Sequence, residues 1–269
     1  MQPLSPFAAF FAGAFGFGYL YVGRIGRALA YVAGAVGLIA LGGWTRWILQ
    51  PWFLYAAVGI AVSLYLLQVI RPILIAVRNP NEPRKRYNRW WFYIGWIVLA
   101  SLGSEALIDY RAEVFGYETF RIPSVSMAPT LQPGDFIVVD SWRYAKQHPG
   151  FGDVVVYEDT TTSNTKLVKR IAGVPGDQIE IRGGALFRNG ERVLEPYLLD
   201  SEQTAAGNWP VMTLATGQYY LLGDKRSNSR DSRFHGPVDE ARILGPVACI
   251  YFSTASWKRF PVRLDSTGT

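Results

Sequence analysis

Apolar residues are arranged in two different ways in this chain. Up to residue 110 they form long runs, 1–23, 28–45, 47–70 and 90–104 continuing to 108, with charges only between or near their ends. Each run approaches or exceeds the roughly 18–20 residues a helix needs to cross the hydrocarbon core. Six of the nine tryptophans (Trp44, Trp47, Trp52, Trp90, Trp91, Trp96) lie at or near the run ends, where an amphipathic indole sits best between lipid and water. The runs predict four membrane-spanning helices, because four successive all-apolar segments leave no polar face for water; buried helices of a soluble protein are the alternative. In the first run, Gly13, Gly16 and Gly18 also leave open a kinked or re-entrant segment. From residue 111 the runs shorten to β-branched and aromatic clusters at 136–140, 153–158, 167–174, 178–182, 219–222 and 243–252. Turn formers separate them, among them Pro133-Gly134-Asp135, Pro175-Gly176-Asp177, Gly183-Gly184 and Asn189-Gly190, and the last two flank a short hairpin strand at 185–188. The expected fold is therefore a multi-pass α-helical membrane region of about four helices over 1–110, then a mostly-β domain over 111–269.

Charge sharpens the topology. The whole formal charge of +6 falls within residues 1–110, which hold nine basic and three acidic groups, and the remainder is balanced. A basic patch of this kind, confined to loops between apolar runs, reads as a solvated orientation signal rather than a nucleic-acid or anionic-lipid surface. The stretch from Arg71 to Arg89 carries six basic residues and Glu82, so it is expected in the cytoplasm. Counting from it, the Arg24–Arg27 turn lies inside, Arg46 and the N-terminus lie outside, and residue 110 delivers the β-rich domain to the outer face. Residues 1–7 lack the basic n-region of a cleavable signal, so the first run is expected to be retained.

Composition excludes several chemistries. With 49% hydrophobic and only 18% charged residues, the chain departs from the roughly one-quarter charged content of a soluble domain. A single cysteine, Cys249, and two histidines, His148 and His235, rule out an internal disulfide and offer too few ligands for a His/Cys metal cage. No cofactor is implied. Neither histidine lies near a G-x-S-x-G elbow, so a serine hydrolase here needs another base. A lysine serves if burial brings its pKa from about 10.4 toward neutrality. Lys146, Lys225 and Lys258 lie in polar, charged or terminal contexts. Lys166 completes Ser163-x-x-Lys166, but after a Thr-rich run and without the other motifs of penicillin-recognising enzymes, so that match reads as coincidence. Lys169 sits in the apolar run Leu167-Val168-Lys169-Arg170-Ile171-Ala172, where strand periodicity alone allows a buried or a solvent-facing side chain. Upstream, Ser124 and Ser126 stand two apart between Pro123 and Pro129, so an extended backbone points both hydroxyls to one side; alone, the segment also fits a plain polar loop.

Four ordered blocks resolve the choice: Pro123-Ser124-Val125-Ser126-Met127-Ala128-Pro129-Thr130-Leu131, Gly152-Asp153-Val154-Val155-Val156-Tyr157, Lys169-Arg170-Ile171-Ala172-Gly173-Val174-Pro175-Gly176-Asp177, and Gly223-Asp224-Lys225-Arg226-Ser227-Asn228-Ser229-Arg230-Asp231-Ser232-Arg233. In these blocks the chain resembles the type I signal peptidases of bacteria. The resemblance implies Ser126 as nucleophile, Lys169 as general base, Ser124 as oxyanion donor beside the Ser126 N–H, Ser229 as the group orienting the Lys169 amine, and Asp231 with Arg233 as a structural ion pair. It also implies a catalytic domain of the signal-peptidase type on the outer face of the bacterial inner membrane. The substrates would be preproteins with Ala-x-Ala-type signal peptides, with membrane lipid as the surroundings and no nucleic-acid partner. Lys225, Ser227 and Val125 depart from the family's usual residues, and the N-terminal hundred residues are not explained by it. A dedicated pilin-maturing peptidase of a conjugation system, and a catalytically silent membrane-tethered interaction module, are the competing readings.

Overall fold

The computed structural model describes residues 4–81, 89–159, 165–259 and 262–264. Ser163 and most of the basic stretch at 82–88 lie outside them. The chain divides into two compact units, Met1–Ile48 with Trp52–Phe115, and Leu49–Pro51 with Gly116–Thr269.

The first unit is helical: α1 (Pro6–Ala14), α2 (Gly18–Tyr21), α3 (Ile25–Trp44), α4 (Pro51–Arg78), α5 (Trp90–Asp109) and α6 (Arg111–Phe115). The expectation of four spanning helices is corrected here. Run 1–23 breaks into helices of nine and four residues, and nine residues rise only about 13 Å, less than half the hydrocarbon core. Ser5 caps α1 and Pro6 opens it. Gly16 then ends it in the left-handed region at φ +84°, which a residue with a Cβ rarely adopts. Among the described residues two helices are long and apolar enough to cross a membrane, Ile25–Trp44 and Tyr55–Arg78. The apolar part of α5 is Trp91–Gly103.

Among the described residues the second unit is mostly antiparallel sheet, with one short α-helix, α7 (Ser232–His235), and several single 3-10 turns. Its strands are β1 (Tyr117–Arg121), β2 (Asp135–Asp140), β3 (Val154–Asp159), β4 (Thr165–Gly173), β5 (Gln178–Arg182), β6 (Ala185–Arg188), β7 (Glu191–Arg192), β8 (Trp209–Thr213), β9 (Gln218–Leu222), β10 (Val238–Asp239), β11 (Ile243–Ser253) and β12 (Val262–Arg263). The larger sheet runs β1-β2-β11-β3-β4-β9-β10 with β12 beside β11; the smaller runs β7-β6-β5-β8. The expected strands all form. The two Pro-Gly-Asp segments fold alike: Gly134 and Gly176 take φ +92° and +89°, and the Asp135 and Asp177 carboxylates accept the N–H of Gln132 and Val174, three residues back. Proline followed by a positive-φ glycine is the requirement of a type II turn.

Apolar packing occupies both faces of β4. Val168 packs with Ile122, Met127, Leu131 and Val154 on one side, while Leu167 and Ile171 pack with Tyr157, Tyr219 and Leu221 on the other. Along its edges the strand is asymmetric. β3 pairs with it from Thr165 to Arg170, whereas β9 joins only from Arg170 onward, so among the described residues 166–168 are laddered on one side only.

Candidate active site

The segment between β1 and β2 carries both serines. Its ends are pinned where Ile122 N–H donates to the Asp135 carbonyl at 2.8 Å and Gly134 N–H to the Ile122 carbonyl at 2.9 Å. Ile122, Met127 and Leu131 bury in the core, and these apolar anchors hold the intervening residues at the surface, with Ser124 exposed and Ser126 half-buried. The Ser126 carbonyl accepts the Lys225 N–H at 3.0 Å, which ties the segment to the loop after β9.

Lys169 projects from β4 into this corner. Its Nζ lies 3.0 Å from Ser126 Oγ and 2.9 Å from the Val168 carbonyl, and the residue is only 3% exposed. Burial lowers the amine to about 8 from its ordinary 10.5; the Asp231 and Asp224 carboxylates pull it up and Arg233 pushes it down. Desolvation wins because no carboxylate touches the ammonium directly. Ser124 Oγ stands 3.2 Å from Ser126 Oγ, so the serine hydroxyl is flanked by the amine and a second hydroxyl.

Of the four residues expected in the site, the structure joins three by hydrogen bonds. Ser229 is the exception. Its hydroxyl is buried without a well-formed hydrogen bond, and the Lys169 amine uses the Val168 carbonyl instead. Ser229 nevertheless borders the site, packed so tightly on Gly223 that a Cβ there would meet Ser229 Oγ at 2.1 Å and the Ser126 carbonyl oxygen at 2.7 Å.

Two buried ion pairs frame the corner. Arg233 binds Asp231 through Nε at 2.8 Å and Nη2 at 2.9 Å, while Asp231 also accepts the Gly223 N–H at 3.0 Å. Burial alone would raise the Asp231 carboxyl, but Arg233 and that N–H hold it below the ordinary carboxylate range. The second pair was not anticipated from the sequence. Arg170 forks onto Asp224 at 2.9 and 2.8 Å, also donates to Gly152 carbonyl and Thr130 Oγ1, and stacks 3.8 Å from the Tyr197 ring. An arginine directly after the expected base, inside an apolar strand, was the signal. A fully buried guanidinium requires a matched carboxylate.

The unusual residues of the last block have local explanations. Ser227 donates its N–H and hydroxyl to the two oxygens of Glu202, both at 2.8 Å, so a carboxylate reaches this loop from elsewhere in the chain. Arg226 binds Glu195 at 2.5 Å and the Gly223 carbonyl at 2.9 Å. Lys225 is half-buried and contributes its backbone N–H; the charges acting on Lys169 are those of Asp231, Asp224 and Arg233.

Comparison with known proteins identifies the family of the chain. The family described as "Signal peptidase, peptidase S26" matches residues 93–252. Signal peptidase I U of Bacillus subtilis (strain 168) is 34% identical over 166 residues, 58% of this chain and 87% of the relative. Signal peptidase IB of Staphylococcus aureus (strain N315) is 30% identical over 178 residues, 61% of this chain and 91% of the relative. Probable signal peptidase I-1 of Synechocystis is 32% identical over 150 residues, 53% and 75% respectively. A crystal structure of a signal peptidase I from Enterococcus faecalis V583 aligns at 26% identity and TM-score 0.34 over 37% of this chain and 97% of that one.

Proposed function

Because this chain belongs to the signal peptidase family, peptidase S26, and so is a serine peptidase that removes signal peptides, we propose that it does so with a Ser126/Lys169 dyad. The carrying observation is the nearly dry Lys169 amine 3.0 Å from the Ser126 hydroxyl.

In this reading Ser126 Oγ attacks the scissile carbonyl carbon and its proton passes to Lys169 Nζ. Negative charge on the carbonyl oxygen is met by the Ser124 hydroxyl and the Ser126 N–H. Collapse of the tetrahedral intermediate expels the new N-terminal amine, which takes the proton from Lys169. Water then attacks the ester carbonyl as Lys169 Nζ takes one of its protons; collapse breaks the bond to Ser126 Oγ, which takes that proton from Lys169, and the signal peptide leaves as a carboxylic acid that ionises into solvent. The Val168 carbonyl holds the amine, and Ser229 borders it without adding charge; a carboxylate in the serine's place would raise the lysine's pKa again.

Substrate lies extended along the edge of β4 at 166–168, where among the described residues the backbone has a strand partner on one side only. Small pockets accept small residues, chiefly alanine, one and three positions before the cut. The protein is held in the bacterial plasma membrane by several apolar helices, and the β-rich unit works on the outer face.

Purified full-length protein is expected to trim a preprotein ending its signal in Ala-x-Ala, and Ser126→Ala and Lys169→Ala variants to leave it intact. Cleavage surviving both replacements rejects the dyad. Cleavage confined to a pilin precursor, with ordinary preproteins untouched, selects the narrow pilin-maturing reading. The silent-module reading finds no support in a site whose nucleophile and base lie within hydrogen-bond reach.

A further inference from the structure

The hairpin α1–α2 begins and ends at one level of the helical unit. Ser5 N–H donates to the Tyr21 hydroxyl at 2.9 Å, and Leu4 buries in one cluster with Tyr21, Val22 and Ala76. The other end of the hairpin meets α4 further back along its sequence. Ala14 carbonyl accepts from Tyr65 at 3.0 Å, and Gly16 carbonyl accepts from the Gln68 amide. From Gln68 to Ala76 is about 12 Å of helix. The chain therefore runs in by that distance, reverses at Gly16 and returns to Arg24.

Such a turn inside lipid must satisfy its own backbone, and two of its carbonyls have side-chain partners on α4. Tyr65 and Gln68 meet the carbonyls that the end of α1 leaves bare. Pro72 cannot donate to the Gln68 carbonyl four residues back, and Gly18 covers that oxygen so closely that a Cβ would lie 2.4 Å from it. Gly13 likewise abuts Val69, with a Cβ at 2.9 Å from its Cα. At the far end of α3, Trp44 Nε1 donates to the Val114 carbonyl at 3.0 Å, so residues 44 and 114 share the opposite level.

The outward face of α1 is a stripe of exposed Phe7, Phe10, Phe11 and Phe15. Arg24 stands at the hairpin's open end, and Arg27 and Arg71 lie about 4.5 and 7.5 Å of helix further in, distances that a long arginine side chain spans to bring its guanidinium to the interface. Arg27 lies 6.0 Å from the Tyr19 ring, and Arg71 stands on α4 beside Pro72, which Gly18 abuts. Residues 1–81 contain five arginines and no aspartate or glutamate, so among these residues no carboxylate competes for the guanidiniums.

We propose that α1–α2 is a re-entrant hairpin of the cytoplasmic leaflet, its phenylalanines among acyl chains and Arg24, Arg27 and Arg71 on the phosphates of anionic phospholipids. The chain then crosses the bilayer through α3 and α4, and a third time through α5, whose 20 residues cover about 30 Å and include its shorter apolar part, Trp91–Gly103; the chain's N-terminal segment lies on the side of Arg24. Apolar insertion beside a basic collar is the physical recipe for anionic-membrane binding, and the inference is independent of the peptidase chemistry.

A single cysteine in a short extension ahead of residue 1 tests the topology, with the fully buried Cys249 left in place. A membrane-impermeant maleimide is expected to label it in inverted vesicles and not in intact spheroplasts, as for Asn79→Cys and opposite to Thr45→Cys. Labelling from outside, together with Thr45→Cys, overturns the hairpin. For the lipid, short-chain phosphatidylglycerol is expected to raise the Tm of the detergent-solubilised full chain at roughly tenfold lower concentration than matched phosphatidylcholine. The double variant Arg27→Gln/Arg71→Gln is expected to erase that difference while signal-peptide cleavage in detergent is unchanged. Equal responses to the two lipids, or the same response to inorganic phosphate, overturn the headgroup site.

Discussion

In the proposed reaction Lys169 accepts a proton only when neutral, so cleavage follows the deprotonated fraction of its amine. With burial bringing that amine to about 8, about one-tenth is neutral at pH 7 and about nine-tenths at pH 9. Single-turnover cleavage is therefore expected to rise roughly tenfold between those pH values and then level off; a flat profile would remove Lys169 as the base. Ser124→Ala removes one donor aimed at the developing oxyanion and is expected to lower kcat about 10²-fold with little change in KM. A rise in KM alone would make Ser124 a binding residue. The two serines were legible in the sequence as a proline-flanked pair. The burial of Lys169 was not, because period-two reasoning assumes one wet face, whereas apolar clusters cover both faces of β4. Ser229 was legible only through family resemblance, and its hydroxyl does not reach the amine by a formed hydrogen bond.

The strands of the β-rich unit followed from short apolar runs between strong turn formers, and local chemistry suffices there. Gly134 and Gly176 take the positive φ that a proline-glycine turn demands. Residues 1–23 misled for the converse reason. Composition fixes how apolar a segment is, but not whether its helix continues. Here Gly16 and the Gln68 carbonyl bared by Pro72 make a break favourable through contacts more than fifty residues away. β9 shows how an element can place a site without chemistry of its own. Its exit at Gly223 leaves room for Ser229 and the Ser126 carbonyl, and a Cβ there would collide with both. Gly223→Ala is expected to reduce kcat about 100-fold, a cost typical of an ångström of misplacement, while far-UV circular dichroism stays native. Near-normal turnover would show that the corner tolerates displacement.

Across the β-rich unit, three carboxylates are held by arginines, at separations from two residues for Asp231 and Arg233 to 124 for Asp135 and Arg259. Asp135 accepts from Ser253 and Arg259, Asp177 from Arg188 and Asn189, and Asp231 from Arg233. Burial works to raise each carboxyl, yet these hydrogen bonds and charges hold all three below the ordinary 3.8. A carboxyl depressed by folding contributes stability above its unfolded pKa and loses it as pH falls through the folded value. The Tm of the full chain in detergent is therefore expected to change little from pH 7 to about 5 and to fall steeply below about 4, less steeply for Arg259→Gln; a main loss above pH 5 would point to other groups. The sequence by itself determined what needs only near neighbours: the apolar and β-rich halves, the seven strands bounded by strong turn formers, the turns, and the residue types able to form a dyad; β1 and β8, which lack such an apolar run, were not among them. The tertiary structure decided what depends on separation in space. It brought Ser126 to Lys169 across 43 residues and Gly16 to Gln68 across 52. Dielectric, and with it the amine's proton affinity, is a property of the packed surroundings and not of the lysine.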